Sequence, residues 1–235
     1  MSRFAGVLFD VDDTLYDRRA AQGQILRDVQ ARLPDLFGDL GHEAIDAAFE
    51  ESDRRTADTY MLAGSIEESR DERSRIFLEV LDLPPARARQ VSLAYVDAYR
   101  RTNAPIAGAA ETVRRCARHL PVGIVSNAFP DVQYHKIDSL GIRELCACVL
   151  LSEEFGTRKP EPAIFLAACE QLGIDAGQTL YVGDSYGNDV VGAGNAGLVS
   201  CWFNPAARPR DEGAAAPDYE IRALAEVVGI LGLPA

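Results

Sequence analysis

The residues with the clearest chemical potential form a short acidic cluster near the N-terminus. Asp10, Asp12 and Asp13 occupy three of four consecutive positions, and Thr14 follows them. Carboxylates this close repel one another unless a cation is near, and around a divalent metal ion they can present one carboxylate as a nucleophile. A solvated acidic turn is the simpler interpretation of such a cluster by itself, so the rest of the chain has to decide.

Three further polar clusters follow along the chain. Ser126 and Asn127 end the run VGIVSN, the segment RKPEP covers 158–162, and GDSYGND carries Asp184 and Asp189. The clusters at Asp10, Ser126 and Asp184 each close an apolar run that predicts a buried parallel strand, whereas RKPEP opens a predicted helix. Because the carboxyl ends of parallel strands meet at one edge of a sheet, we expect the four clusters to converge there.

The elements that must position these clusters are of two kinds. Between the first cluster and Pro105 the apolar spacing is helical, with helices predicted at 18–33, 42–62, 67–82 and 86–102. Elsewhere strands alternate with helices. The predicted strands are 4–9, 121–126, 147–151, 179–183 and 199–203, and the predicted helices are 108–119, 130–140, 161–172, 188–196 and 220–231.

This alternation predicts an α/β fold with a parallel Rossmann-like sheet and helices on both faces. We expect that core to comprise residues 1–16 and 104–235, and residues 17–103 to form a small inserted α-helical domain. Hinges are expected near 16–20 and 100–106, where the chain crosses between the two.

Composition limits the possible partners and compartment. A net charge of −12 over 235 residues argues against nucleic acid and anionic membrane as partners. Five cysteines without a C-x-x-C pair fit neither a disulfide framework nor a zinc site. With no apolar run approaching about 18 residues, we expect a soluble, cytoplasmic protein. Only two lysines occur, Lys136 and Lys159, so each needs an explanation, and 205–217 is expected to be the most mobile surface loop.

In order and spacing, the four clusters resemble the four motifs of the haloacid-dehalogenase-like hydrolase superfamily. The resemblance covers essentially the whole chain, because the inserted helices match the helical cap domain that many members carry between the first two motifs. It implies a magnesium-dependent hydrolase that removes phosphate from a small phosphomonoester, a phosphorylated metabolite, through an aspartyl-phosphate intermediate.

The resemblance also implies roles for the motif residues. Asp10 would be the nucleophile, and Asp12 would protonate the leaving alkoxide and then activate water. Mg²⁺ would bind Asp10, the backbone carbonyl of Asp12, and Asp184. Asp189 would bind the metal through water or orient the lysine of the third motif.

The remaining implied contacts are to the substrate. Ser126 and Lys159 would hold the phosphoryl oxygens, and Asn127 would add a backbone amide. Thr14 is a further substrate-binding candidate, with a simple turn cap as its alternative. In and near the cap, the candidates for touching the leaving group are Arg18, Arg19, Arg54, Arg55 and Tyr60. A solvated helix face is the alternative for each of these.

Three other functions stay open on the sequence. A 2-haloacid dehalogenase of this superfamily attacks carbon and needs neither a metal nor a proton donor, so its first motif lacks the second aspartate that is present here as Asp12. A phosphomutase of the β-phosphoglucomutase type shares every catalytic residue. A catalytically silent relative that binds a partner through its cap would be expected to have lost Asp10, Lys159 or Asp184. Among phosphatase substrates, sugar phosphates, phosphoglycolate and nucleoside monophosphates all remain open, as does the oligomeric state.

Overall fold

The computed structural model of the chain describes residues 3–56, 65–210 and 213–234. By contacts, the chain divides into two compact units, Met1–Arg18 with Ala104–Ala235, and Arg19–Asn103. The chain passes between them twice, and on the side of the first unit these passages pair with each other. The Asp17 amide donates to the Ala104 carbonyl at 2.8 Å, and the Ile106 amide donates to the Leu15 carbonyl at 3.0 Å.

The first unit is built on a parallel six-stranded sheet in the order β3-β2-β1-β4-β5-β6. The strands are β1 Gly6–Phe9, β2 Val122–Ser126, β3 Cys146–Leu151, β4 Thr179–Gly183, β5 Val199–Phe203 and β6 Tyr219–Ile221. Every residue of β1, β2, β4 and β5 is buried. Strands buried on both faces need helices on both faces, so the predicted fold class is confirmed.

The helices take up most of the remaining chain. They are α1 Arg18–Arg32, α2 Pro34–Phe37, α3 His42–Thr56, α4 Ile66–Val80, α5 Ala88–Tyr99, α6 Ala109–Ala117, α7 Pro130–Ser139, α8 Ser152–Phe155, α9 Pro162–Leu172, α10 Gly192–Asn195 and α11 Glu226–Ile230. The last six residues predicted for the second helix, 57–62, lie outside the described residues. None of the helices in the described part of the chain is long and apolar enough to cross a membrane.

The second unit is a bundle of α2 to α5 and most of α1 around an aromatic core. Phe49 stacks on Tyr95 with ring centroids 5.0 Å apart, and Phe37 stacks on Phe77 at 5.7 Å. Ser65 starts α4 with a capping box, in which its side chain and that of Glu68 satisfy each other's backbone amides. No strand occurs among the described residues of this unit, which agrees with the helical spacing of the sequence.

Two predicted helices were wrong in part. The segment 220–231 was predicted as one helix, but its beginning forms β6 beside β5, and only Glu226–Ile230 is helical. The segment 188–196 is a wide π-type turn over Tyr186–Val191 that continues into the short α10. Turns of this kind occur often at functional sites.

Candidate active site

The predicted clusters follow strands that surround the point where the sheet order reverses. From β1 the chain first extends the sheet through β2 and β3, and then returns to the other side of β1 with β4. Asp10 follows β1, Ser126 ends β2, and Asp184 follows β4. In open α/β sheets this crevice at the carboxyl ends of the strands is the usual ligand site.

Asp10 is the centre of the site and is almost fully buried. Its Oδ1 accepts two hydrogen bonds, from the Ser126 hydroxyl at 2.9 Å and from the Lys159 ammonium at 2.8 Å. None of the hydrogen bonds found among the described residues reaches Oδ2. The carboxylate is therefore held by one oxygen, while the other is available to react or to bind a metal ion.

Lys159 is held in place from several directions. Its Nζ donates to Asp189 at 2.6 Å and to the Tyr181 hydroxyl at 3.0 Å, in addition to Asp10. The Asn127 amide group clasps the Lys159 backbone, accepting from its N–H at 2.8 Å and donating to its carbonyl at 3.0 Å. Two carboxylates around the ammonium keep the pKa of Lys159 above its ordinary value despite burial.

An acidic cluster beside this lysine can hold a metal ion. Carboxylate oxygens of Asp10, Asp184 and Asp189 all lie within 4.8 Å of one another. Gly183 allows this approach, because a Cβ at that position would meet the Asp189 carboxylate at 2.4 Å. Oxygen donors alone, in a cluster of carboxylates, are the ligand set that a hard cation such as Mg²⁺ prefers, so the donors fit that ion.

Burial and the mutual repulsion of the carboxylates raise the pKa values of two members of the cluster. Burial, followed by repulsion from Asp10 and Asp189, raises the pKa of Asp184 to about 7. Burial also raises the pKa of Asp10 to about 6, since the opposing charge of Lys159 does not offset burial and the repulsion from Asp189 and Asp12. Both carboxylate oxygens of Asp189 already accept hydrogen bonds, from Lys159 and from the Ser185 amide, so Asp10 and Asp184 are the better candidates for binding a cation.

Magnesium affinity is expected to weaken as the pH falls from about 8 to about 5, because protons compete for Asp10 and Asp184 in that range. The loss should approach about tenfold per pH unit for each proton displaced. The chain's single tryptophan, Trp202, donates its indole N–H to the Asp184 carbonyl at 2.9 Å, so titrating magnesium against Trp202 fluorescence can measure the affinity. An affinity that is independent of pH would contradict the assignment of these two ligands.

The Asp12 side chain is bound by Lys136, a partner that the sequence motifs did not predict. The buried ammonium of Lys136 forms a short ion pair with Asp12 Oδ1, and the Gln133 amide donates to Oδ2 at 3.3 Å. Burial favours the neutral acid, but the charges of Lys136 and Arg18 and these two hydrogen bonds outweigh it, and the pKa of Asp12 is lowered. The sequence indicated a special role for Lys136 only through the rarity of lysine in this chain.

The structure places three other residues of the predicted motifs, Thr14, Asn127 and Asp13, in different local environments. Thr14 is buried and its hydroxyl has no hydrogen-bond partner in the described residues, so it does not act as a turn cap there. Both polar groups of the Asn127 side chain are engaged by Lys159, which leaves its backbone amide for a substrate. Asp13 adopts a left-handed conformation (φ 55°) and accepts from the Arg18 amide at 3.0 Å, as a turn residue does.

The candidates for substrate contact on the helical unit have partners within that unit. Arg54 and Arg55 both pair with Glu51 on α3, at 2.6 Å each, and Arg19 lies 3.9 Å from Glu50. Tyr60 lies outside the described residues. Their contact with a substrate stays a prediction.

The loop 205–217 was expected to be mobile, but one of its residues contacts the site. The Arg208 guanidinium donates to the Asp184 carbonyl at 2.8 Å and approaches its carboxylate at 3.4 Å. Arg208 also lies over the Trp202 ring. The sequence carried no signal for this contact, because the loop has neither apolar periodicity nor a motif.

Comparisons with known proteins agree with this fold. The family model for haloacid dehalogenase-like hydrolases matches residues 4–197. The phosphoserine phosphatase of Thermus thermophilus is 30% identical over 245 residues, covering 94% of this chain and 96% of its own. The crystal structure of Bacillus subtilis YfnB bound to magnesium superposes with a TM-score of 0.82 at 26% identity, over 98% and 100% of the two chains.

A third comparison concerns the rival chemistry. The 2-haloacid dehalogenase of Pseudomonas syringae has a TM-score of 0.69 at 25% identity, with coverage of 97% and 98%. Together, the fold and the family match define a hydrolase with a buried aspartate, Asp10, at the point where the sheet order reverses. The chain belongs to the haloacid dehalogenase-like hydrolases. Since phosphatases and dehalogenases both occur among its relatives, the residues of the site have to separate the two.

Proposed function

We propose that this protein is a magnesium-dependent phosphatase that acts on a small phosphomonoester through an aspartyl-phosphate on Asp10. The observation that carries the proposal is a lysine-paired Asp10 within cation-sharing distance of Asp184, with Asp12 two residues further along the chain. Phosphoryl transfer uses all three groups: a nucleophile, a site that neutralises charge, and a carboxylate that exchanges protons.

In the first step, the Asp10 carboxylate attacks phosphorus, and the bond to the leaving alkoxide breaks as the new bond forms. Ser126 and Lys159 are the donors nearest the nucleophile, and we assign them to the phosphoryl oxygens, where negative charge must be stabilised. Bound by Asp10, Asp184 and the Asp12 carbonyl, magnesium would reduce the repulsion between the anionic nucleophile and the anionic ester.

Asp12 carries the protons of both steps. It gives a proton to the leaving alkoxide and then takes one from the water that hydrolyses the aspartyl-phosphate, so its proton balance closes over the turnover. The lowered pKa of Asp12 favours the ionised carboxylate, which is the form that accepts a proton in the second step, whereas the first step draws on the protonated form.

Dehalogenation would not require all of these residues. A halide leaves without a proton, and attack at carbon needs no metal, so neither Asp12 nor the pairing of Asp10 with Asp184 would have a task. The similarity to the Pseudomonas syringae dehalogenase is a similarity of fold, and this fold supports both chemistries. The site of this chain therefore favours phosphoryl transfer.

The proposal is tested by assaying the full chain with magnesium against a panel of phosphorylated metabolites, and separately against 2-chloropropionate. We expect phosphate release from at least one ester and no chloride release. Chloride release without metal would overturn the phosphatase proposal in favour of dehalogenation. Isomerisation of a sugar phosphate without net phosphate release would identify a phosphomutase instead.

Asp184→Ala is expected to raise the magnesium concentration needed for half-maximal activity while leaving the fold intact. Losing a group that merely orients a metal ligand costs about 10–100-fold in affinity, so losing a ligand should cost at least that factor. Activity measured against free magnesium gives the shift, and calcium should substitute poorly, because it prefers more ligands at longer distances.

The matched control is Asp138→Ala, since Asp138 is a half-exposed carboxylate paired with Arg143 on the surface. It should need the same magnesium concentration as the unmodified protein. Full turnover of the unmodified protein in excess chelator would contradict the metal assignment.

A further inference from the structure

Both lysines of this chain are buried at the same site. Lys136 and Lys159 are each 3% exposed, although lysine is among the residues least often buried. A buried ammonium group is costly unless a carboxylate compensates it. For Lys159 that carboxylate is Asp10, whereas for Lys136 it is Asp12. The first pairing belongs to the predicted motifs and the second does not.

Helix α7 approaches Asp12 with two side chains on one face. Gln133 and Lys136 are three residues apart, a spacing that places both on the same side of a helix. Lys136 bonds to Oδ1 of Asp12 and Gln133 donates to Oδ2. Both oxygens of Asp12 therefore accept hydrogen bonds from one rigid element, 121 and 124 residues away in the chain.

The same helix connects Asp12 to the nucleophile. The Gln133 amide also donates to the Ser126 hydroxyl at 2.8 Å, and that hydroxyl donates to Asp10 at 2.9 Å. The Lys136 ammonium lies 5.5 Å from the centre of the Tyr16 ring, a contact that further restricts its position. The network thus sets the position of Asp12 relative to Asp10.

Exposure separates the roles of the two partners. The Asp12 side chain is 24% exposed, whereas that of Lys136 is 4% exposed. A ligand in the crevice can therefore reach the carboxylate but not the ammonium behind it. Stability alone explains the pair poorly, since apolar residues of similar volume are often as stable as a buried ion pair.

We infer that Lys136 is a positioning residue that, with Gln133, holds the Asp12 carboxylate in the orientation required for proton exchange with the leaving group. This inference rests on the proposed phosphatase function. Lys136 binds the carboxylate through Oδ1. The weaker contact of Gln133 leaves Oδ2 as the oxygen that exchanges the proton. Without the lysine, Asp12 remains present but keeps only the weaker hydrogen bond from Gln133.

The test is a series of aryl phosphates from p-nitrophenyl to phenyl phosphate, assayed by kcat/KM, which reports the steps up to loss of the phenol. For Lys136→Met we expect a loss of about 10–100-fold on phenyl phosphate, whose leaving group needs a proton, and under about threefold on p-nitrophenyl phosphate. An equal loss across the series would mean that Lys136 has only a structural role and would overturn the inference.

A double-mutant cycle tests the same inference without relying on how the rate depends on the leaving group. If Lys136 acts through Asp12, then Lys136→Met added to Asp12→Asn should cost less than about twofold more on phenyl phosphate, because residues that act as a unit are not additive. Losses that multiply in the double variant would overturn the inference. If Lys136→Met does not fold, Lys136→Gln is carried through the same series and cycle.

Arg143→Met is the matched control, because it breaks an exposed Arg143–Asp138 pair close to the same helix. It should leave every rate within about twofold, as expected for a surface ion pair. Absence of hydrolysis of every phosphate ester by the unmodified protein would overturn the proposed function, and with it this inference. Hydrolysis by the unmodified protein with a flat leaving-group response in the Lys136 variants would overturn the inference alone.

Discussion

Asp10→Asn is expected to abolish hydrolysis of every phosphate ester, whatever its leaving group. The amide has nearly the shape of the carboxylate but lacks the negative charge that attacks phosphorus, and it cannot form the aspartyl-phosphate. Loss of a nucleophile in a covalent mechanism typically costs on the order of 10⁶ in kcat. The rate of phosphate release and the absence of covalently phosphorylated protein after an acid quench are the two measurements.

The expected stability change has the opposite direction to the activity change. Burial and repulsion by Asp189 and Asp12 already raise the pKa of Asp10 to about 6, so the charged form is destabilised in the metal-free protein. Neutralising it should raise or preserve the thermal midpoint at neutral pH. An inactive variant that keeps its midpoint identifies a catalytic loss, whereas retained turnover would exclude Asp10 as the nucleophile.

Asp12→Asn is expected to separate substrates by their leaving groups. An alkyl phosphate should lose about 10²–10⁴ in rate, the usual contribution of a general acid. The first chemical step on p-nitrophenyl phosphate should lose much less, because its phenolate departs without a proton. Pre-steady-state measurement with both substrates isolates this step from the later hydrolysis of the intermediate, which also depends on Asp12.

Equal losses for the two substrates would mean that Asp12 is not the general acid, and the dehalogenase and binding alternatives would have to be considered again. Asp138→Asn, a surface carboxylate on α7, makes the same chemical change away from the site and should leave both rates unchanged. Because Asp12 is bonded to Lys136, the Asp12 variant also leaves a buried ammonium with a weaker partner. Its thermal midpoint therefore has to be measured alongside its rates.

Local sequence patterns were sufficient for most of the fold. The five predicted strands are all present because continuous apolar runs bounded by polar turns have few other stable arrangements in an α/β chain. The prediction for the C-terminal segment was wrong for a physical reason. Five of its apolar residues are spaced as on one helix and are buried, namely Ile221, Leu224, Val227, Val228 and Leu231. However, Tyr219–Ile221 pairs with the open edge of β5 as a strand before the helix begins.

For the site, the sequence by itself determined which side chains stand at the strand ends, because each motif is contiguous and its position is set by the strand before it. Asp10, Ser126 and Asp184 follow from that local rule. Only the tertiary structure decided what those side chains contact. The pairing of Asp12 with Lys136, the clasp of Asn127 on Lys159 and the reach of Arg208 to Asp184 each join segments distant in the chain. Such contacts depend on sheet register and helix packing, which no local pattern encodes.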